Sequence, residues 1–136
     1  MARYLLVAHQ TAESLKLRAA VRRMAADDRE ASFVLLIPAT PVEHLAGWTE
    51  GEAKTVAQRA GEWARQAFSA DGIELEGVLV GDANPVFAVE DAFNESTYDQ
   101  VIVSTLARKA SRWLKMDVVS HLRKVLRVPV VHIEGS

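Results

Sequence analysis

Short, unbroken apolar runs alternate with helix-patterned segments along the chain, and that alternation leaves few folds open. Tyr4–Ala8 and Ser32–Ile37 are the first two runs, and Val101-Ile102-Val103 forms the heart of a later one. A run without polar interruption suits a strand covered on both faces, as in a parallel sheet. Between the first two runs, Leu17, Val21 and Met24 recur at helical spacing with Arg18, Arg22 and Arg23 around them, which predicts a helix over Ala12–Ala26. Pro38–Gly51 is the longest connection. A second helix is predicted over Glu52–Ser69, with Val56, Ala60, Trp63 and Ala67 as its buried stripe and Asp71-Gly72 as its stop.

Ile73–Val80 reads as the third strand. Asn84 and Pro85 are a good cap and first residue for a helix over Pro85–Asn94. Gln100–Val103 is the fourth strand, Asp117–Arg127 the last helix and Val128–Ile133 the last strand. Pro129 near the start of that strand suits an edge position. Five strands and four helices in strict alternation imply βαβ units with right-handed crossovers. The expectation is a single doubly wound α/β domain over residues 1–136.

Bulk properties narrow the function classes. The chain has no cysteine, which excludes disulfides, thiolate metal sites and a cysteine nucleophile. A net charge of -2 gives no general attraction for nucleic acid, and no aromatic stacking platform is visible, so no nucleic-acid partner is expected. The apolar runs are too short for a signal peptide or a membrane span, so the expected location is the cytoplasm, away from any membrane. His44, His121 and His132 are scattered without metal-ligand spacing, and no metal site is expected. The G-x-S-x-G, G-x-x-x-x-G-K-[S/T] and G-x-G-x-x-G motifs are all missing, which weakens hydrolase, NTPase and dehydrogenase readings.

In open parallel sheets ligands bind beyond the carboxyl ends of the strands, where strand order reverses. The candidate ligand-binding residues are therefore His9, Gln10 and Thr11 after the first strand and Pro38, Ala39 and Thr40 after the second. After the fourth come Ser104, Thr105, Arg108, Lys109, Ser111 and Arg112. With Lys115, the cations at 108, 109 and 112 form a basic cluster able to hold an anion by side chains. Its plainer reading is a solvated loop. Trp113 either stacks on a base or packs over the sheet end, and its large apolar ring favours packing. His9 would contact a ligand or hydrogen-bond neighbouring loops. No activated nucleophile is visible, so no catalytic residue is assigned.

The opening Tyr4-Leu5-Leu6-Val7-Ala8, the strand Tyr98-Asp99-Gln100-Val101-Ile102-Val103-Ser104 and the ending Leu122-Arg123-Lys124-Val125-Leu126-Arg127-Val128-Pro129-Val130-Val131 resemble, in order and spacing, the universal stress proteins. Ser104-Thr105-Leu106 followed by Ser111-Arg112-Trp113-Leu114 is similar to a divergent actinobacterial group within that family. The resemblance implies an adenine-nucleotide-hydrolase-like fold with strand order 3-2-1-4-5. It also implies a homodimer through the last strand, with Val128, Val130 and Ile133 at the contact, and an adenine nucleotide such as ATP as cofactor. Many members hold ATP through G-x-x-G, nine residues, then G-[S/T]; the matching positions here are Ser104, Ala107, Asp117 and Val118, none of them glycine. The acidic residue many members carry after the first strand is replaced by the turn His9-Gln10-Thr11. The implied function is a non-catalytic ligand-binding or sensing protein. The alternative is a dimeric interaction module that has lost nucleotide binding.

Overall fold

The computed structural model describes residues 2–41, 50–107 and 111–135. Five parallel strands form one sheet in the order β3-β2-β1-β4-β5. They are β1 (Arg3–Val7), β2 (Ser32–Pro38), β3 (Gly77–Gly81), β4 (Gln100–Thr105) and β5 (Val130–Glu134). The helices are α1 (Leu15–Asp27), α2 (Glu50–Ala70), α3 (Pro85–Glu95), α4 (Arg112–Lys115) and α5 (Val118–Val125). The order reverses at β1, which pairs with β2 on one side and β4 on the other.

Each central strand is buried on both faces, as its unbroken apolar run requires. Leu5, Val7, Leu36, Val101 and Val103 face α3 and α5, where Val86, Val89, Val118 and Leu122 meet them. Leu6, Leu35, Ile37 and Ile102 face α1 and α2, against Leu17, Val21, Ala57, Ala64 and Phe68. Truncating a residue such as Leu6 or Ile102 to Ala would cost about 2–5 kcal/mol.

The helix boundaries follow local signals. Ser14 caps α1 by accepting from the Leu17 N–H at 3.2 Å. Asn84 caps α3 by accepting from the Val86 N–H at 2.9 Å. Gly72, at φ +84°, ends α2 in the left-handed conformation that glycine adopts freely.

Four expectations need correction. The buried stripe of α2 is Ala53, Ala57, Ala64 and Phe68, whereas Trp63 is 54% exposed. Close approach decides the helix's rotation: a Cβ at Gly61 would lie 2.7 Å from Val78 Cγ1, so the small-residue face must sit on the sheet. β3 begins at Gly77 instead of Ile73, because the Ile73 N–H is still bonded to the Phe68 carbonyl at the end of α2. The last helix and strand are shorter than expected, α5 ending at Val125 and β5 starting at Val130. The extra helix α4 is a single turn inside the connection that reads as a long loop.

At the amino ends of the strands Arg3 is the hub. Its guanidinium donates to Glu76 at 2.6 and 3.0 Å, to the Thr97 carbonyl at 3.0 Å and to the Ser96 hydroxyl. It also lies 4.6 Å from the Tyr98 ring centroid. The Arg3 N–H donates to the Asp99 carboxylate at 2.8 Å, so β1 is tied to the lead-ins of both β3 and β4.

Candidate functional site

β1 ends in a tight turn. The Ala12 N–H donates to the His9 carbonyl at 3.2 Å and the Ser14 N–H to the Thr11 carbonyl at 3.0 Å. The turn buries His9, Thr11 and Ala12 and exposes Gln10. Across the reversal, β4 runs two residues further than its apolar core, so Ser104 and Thr105 are strand residues. The Thr11 and Ser104 hydroxyls, both buried, lie 2.6 Å apart and join the ends of β1 and β4.

Thr105 Oγ1 donates to the Leu106 carbonyl at 2.9 Å and lies 2.8 Å from His132 Nε2. A hydroxyl has one proton, so with that proton on Leu106 the His132 Nε2–H is the donor. The Thr105 carbonyl also accepts from the Gly135 N–H at 2.9 Å, fastening the end of β5 to β4.

The connection after β4 turns back over the sheet. Ser111 is buried and caps α4 by accepting from the Leu114 N–H at 3.1 Å. That turn swings Trp113 into the core shared by Val7, Leu36 and Val103. Its Nε1–H donates to Thr40 Oγ1 at 3.3 Å, and Thr40 Oγ1 donates onward to the Ala83 carbonyl at 2.6 Å. Thr40 follows β2 and Trp113 follows β4, so the indole spans the end of β1, where strand order reverses. Trp113 packs, as its size predicts.

Arg112 and Lys115 are exposed on α4. Arg108 and Lys109 lie outside the described residues, as does His44. Pro38 is the last residue of β2, and the Ala39 N–H donates to the Gly81 carbonyl at 3.0 Å. Among the sequence-predicted residues, the structure therefore joins Thr11 to Ser104 and links Thr40 through Trp113 to the loop after β4. Ser111 is engaged as a helix cap.

Two features stand apart from these networks among the described residues. His9 is 9% exposed, and its Nε2 has no hydrogen-bond partner among the described residues. An unpaired buried polar atom costs about 1–3 kcal/mol, so such atoms are rare in folded proteins. Burial pushes the imidazole below its usual range, opposed by a hydrogen bond to its own backbone. The second feature is Asp117, which precedes α5 at φ 58° and ψ 37° with no side-chain cap hydrogen bond. It is the one non-glycine residue with positive φ among those described. It stands where the resemblance expects a glycine. Its backbone holds the left-handed conformation that glycine adopts freely.

Sequence reasoning missed the Trp113–Thr40–Ala83 chain and the Thr105–His132 contact. The first depends on an α4 turn whose signal, Ser111 as a cap, is legible afterwards. The second depends on the β4–β5 register, which sets Val103 beside His132 and has no local sequence signal.

No protein-family model matches the chain. No curated protein matches it in sequence. Solved structures do match it along its length. A universal stress protein from Archaeoglobus fulgidus superposes with a TM-score of 0.64 at 18% identity, covering 98% of this chain and 93% of that one. A universal stress protein family member from Burkholderia pseudomallei gives 0.66 at 14% identity, over 97% and 95%. A universal stress protein in complex with cAMP gives 0.62 at 17% identity, over the full length of both chains. The chain has the universal stress protein fold, including the strand order that the resemblance implies.

Proposed function

We propose that this chain is a universal-stress-type protein that binds a small ligand at the carboxyl ends of β1 and β4, without catalysis. The ligand class is an adenine nucleotide or a smaller phosphorylated anion. The observation that carries this reading is the buried Nε2 of His9 at the reversal point, without a partner among the described residues, in a sheet end where the neighbouring hydroxyls are paired. A neutral imidazole there is ready to hydrogen-bond a guest. The cAMP complex of a protein with the same fold supports the nucleotide class. Arg112 and Lys115 supply exposed cations on α4, and the sequence adds Arg108 and Lys109 to the same connection.

Binding of this kind would use side chains where many relatives use glycine-lined backbone. Ser104 and Ser111 hold other parts of the chain, and Asp117 adds a carboxylate at the start of α5. Among the described residues the Thr11 and Ser104 hydroxyls bond to each other, without the adjacent base that activates a nucleophile. The test is thermal melting with ATP, AMP, cAMP and pyrophosphate. A ligand present at about a hundred times its Kd stabilises the native state by about 2.7 kcal/mol, a readily measured rise in Tm. No shift with any of the four at millimolar concentration would sink the reading.

The second reading, a dimeric interaction module without nucleotide binding, rests on β5 as an outer strand of the sheet. Val128 and Ile133 are partly buried, and Val130 belongs to the protein's own core. Sedimentation equilibrium showing a dimer, together with no ligand shift, would favour it.

A further inference from the structure

The sheet has two outer edges, and they are protected unequally. β5 follows Pro129, carries Glu134, and has its Val130 carbonyl covered by the Arg123 guanidinium at 3.1 and 3.3 Å. Prolines, charges and covering side chains are the usual means of blocking an edge. β3, Gly77-Val78-Leu79-Val80-Gly81, has no proline or charged residue within the strand, and among the described residues it pairs with β2 alone.

Beside this open edge runs a groove of about 780 Å³ between β3 and α3 that reaches the start of α2. Leu79, 36% exposed, forms its floor with Ala88 and Ala92. The floor is low because the elements are close: a Cβ on Gly81 would lie 2.8 Å from the Ala88 Cβ. The rim is acidic, with Asp82, Asp91 and Glu95 against one cation, Lys54. Asp91 and Glu95 make no hydrogen bond or ion pair among the described residues.

We propose that this edge and groove dock a cationic, extended peptide segment of a partner protein, which adds to the sheet as a sixth strand beside β3. Main-chain hydrogen bonds to the free edge would supply affinity, and alternate side chains would supply specificity. Leu79 is in register with Leu36 and so faces α3, whereas Val78 and Val80 pack on the α2 side. Every second peptide side chain would therefore lie over Leu79 and end at Asp91 and Glu95. A lysine does both, its stem on the apolar floor and its ammonium at the rim. The intervening side chains would be apolar, meeting Val78 and Val80. Self-pairing of β3 between two copies is disfavoured because it brings one acidic rim towards another.

The experiment uses the full chain and fluorescein-labelled five-residue peptides, read by anisotropy. The probe is Lys-Val-Lys-Val-Lys. Its controls are Glu-Val-Glu-Val-Glu, a block arrangement Val-Val-Lys-Lys-Lys, and the probe N-methylated at its central lysine. The probe should bind saturably and the three controls should not. Hydrogen exchange should slow in Gly77–Gly81 when the probe is bound. The double variant Asp91→Asn/Glu95→Gln, at exposed positions, should fold normally and weaken binding about tenfold. No binding of the probe, equal binding of the block peptide, binding unchanged in the double variant, or protection confined to β5 would each overturn the proposal. So would a peptide-insensitive dimer whose exchange protection maps to β3.

Discussion

At the amino ends of the strands a guanidinium does the bridging, and at the carboxyl ends an indole does. Arg3 stands on the central strand and reaches outward to Glu76 and to the Ser96–Asp99 segment. Trp113 reaches over the same strand from above, to Thr40. The lower closure is made of charges that satisfy one another at a partly exposed surface. The upper closure is made of an apolar ring and neutral hydroxyls, and one buried nitrogen, His9 Nε2, has no partner among the described residues. Among the described residues the upper end keeps a buried hydrogen-bonding atom without a partner at the point where strand order reverses, which is the basis of the proposed ligand site.

This contrast can be broken most sharply at Trp113. Trp113→Ala should cost about 3–5 kcal/mol in urea denaturation, because it empties a well-packed site. Trp113→Phe should cost less, about 1–3 kcal/mol, since it loses one hydrogen bond and leaves a smaller void. Thr11→Val comes next, at about 1–3 kcal/mol, since it strands the buried Ser104 hydroxyl. The double variant Thr11→Val/Ser104→Ala should recover part of that loss. If the single and double variants are equally destabilised, the hydroxyl pair is not what joins β1 to β4. Arg3→Met at the lower end should cost about 1–2 kcal/mol, shrinking in high salt because Glu76 is partly exposed.

The two ends should also separate by pH. His9 has a folded value below its ordinary 6.5, so the unfolded chain takes up the proton first. Its contribution is complete above about 6.5 and declines as pH falls below that, until the folded value is passed. Hydrogen bonds from Arg3 to Glu76 and from Arg18 to Asp71 hold these carboxyls below their ordinary 4.5 and 3.8. Their contribution is present above those values and is lost at lower pH, as each folded value is crossed. His9→Gln should therefore flatten the upper step of a stability–pH curve and leave the lower one. An unchanged upper step would mean that His9 is not the group responsible.

Much of the fold was legible because hydrophobic period and caps are local. The runs at Tyr4–Ala8 and Ser32–Ile37, the Asn84-Pro85 start and the Gly72 stop each carry their own signal. The rotation of α2 was not, because periodicity weighs Trp63 as buried whereas contact with Val78 demands a small residue at 61. The site was legible as a set of strand ends but not as a pattern of bonds. Which hydroxyls are occupied depends on pairs such as Thr11–Ser104, 93 positions apart in sequence. His9 was visible as a candidate, but that its Nε2 lacks a partner among the described residues could only be seen once its neighbours were in place.

The smallest expected effect belongs to Asp117→Gly. Relief at positive φ is offset by the greater freedom of glycine in the unfolded chain, so stability should change by no more than about 0.5 kcal/mol. Anion binding should strengthen, since a carboxylate leaves the start of α5; isothermal titration with pyrophosphate would show an unchanged Kd if that carboxylate is irrelevant.

That residue also bears on how readily such a chain could change its ligand. Aspartate and glycine codons differ by a single base, at the second position. The backbone at 117 already holds a left-handed conformation. One point mutation would thus place a glycine there without any remodelling of the main chain around it, and in mutational distance that is as short a step as a coding change can be.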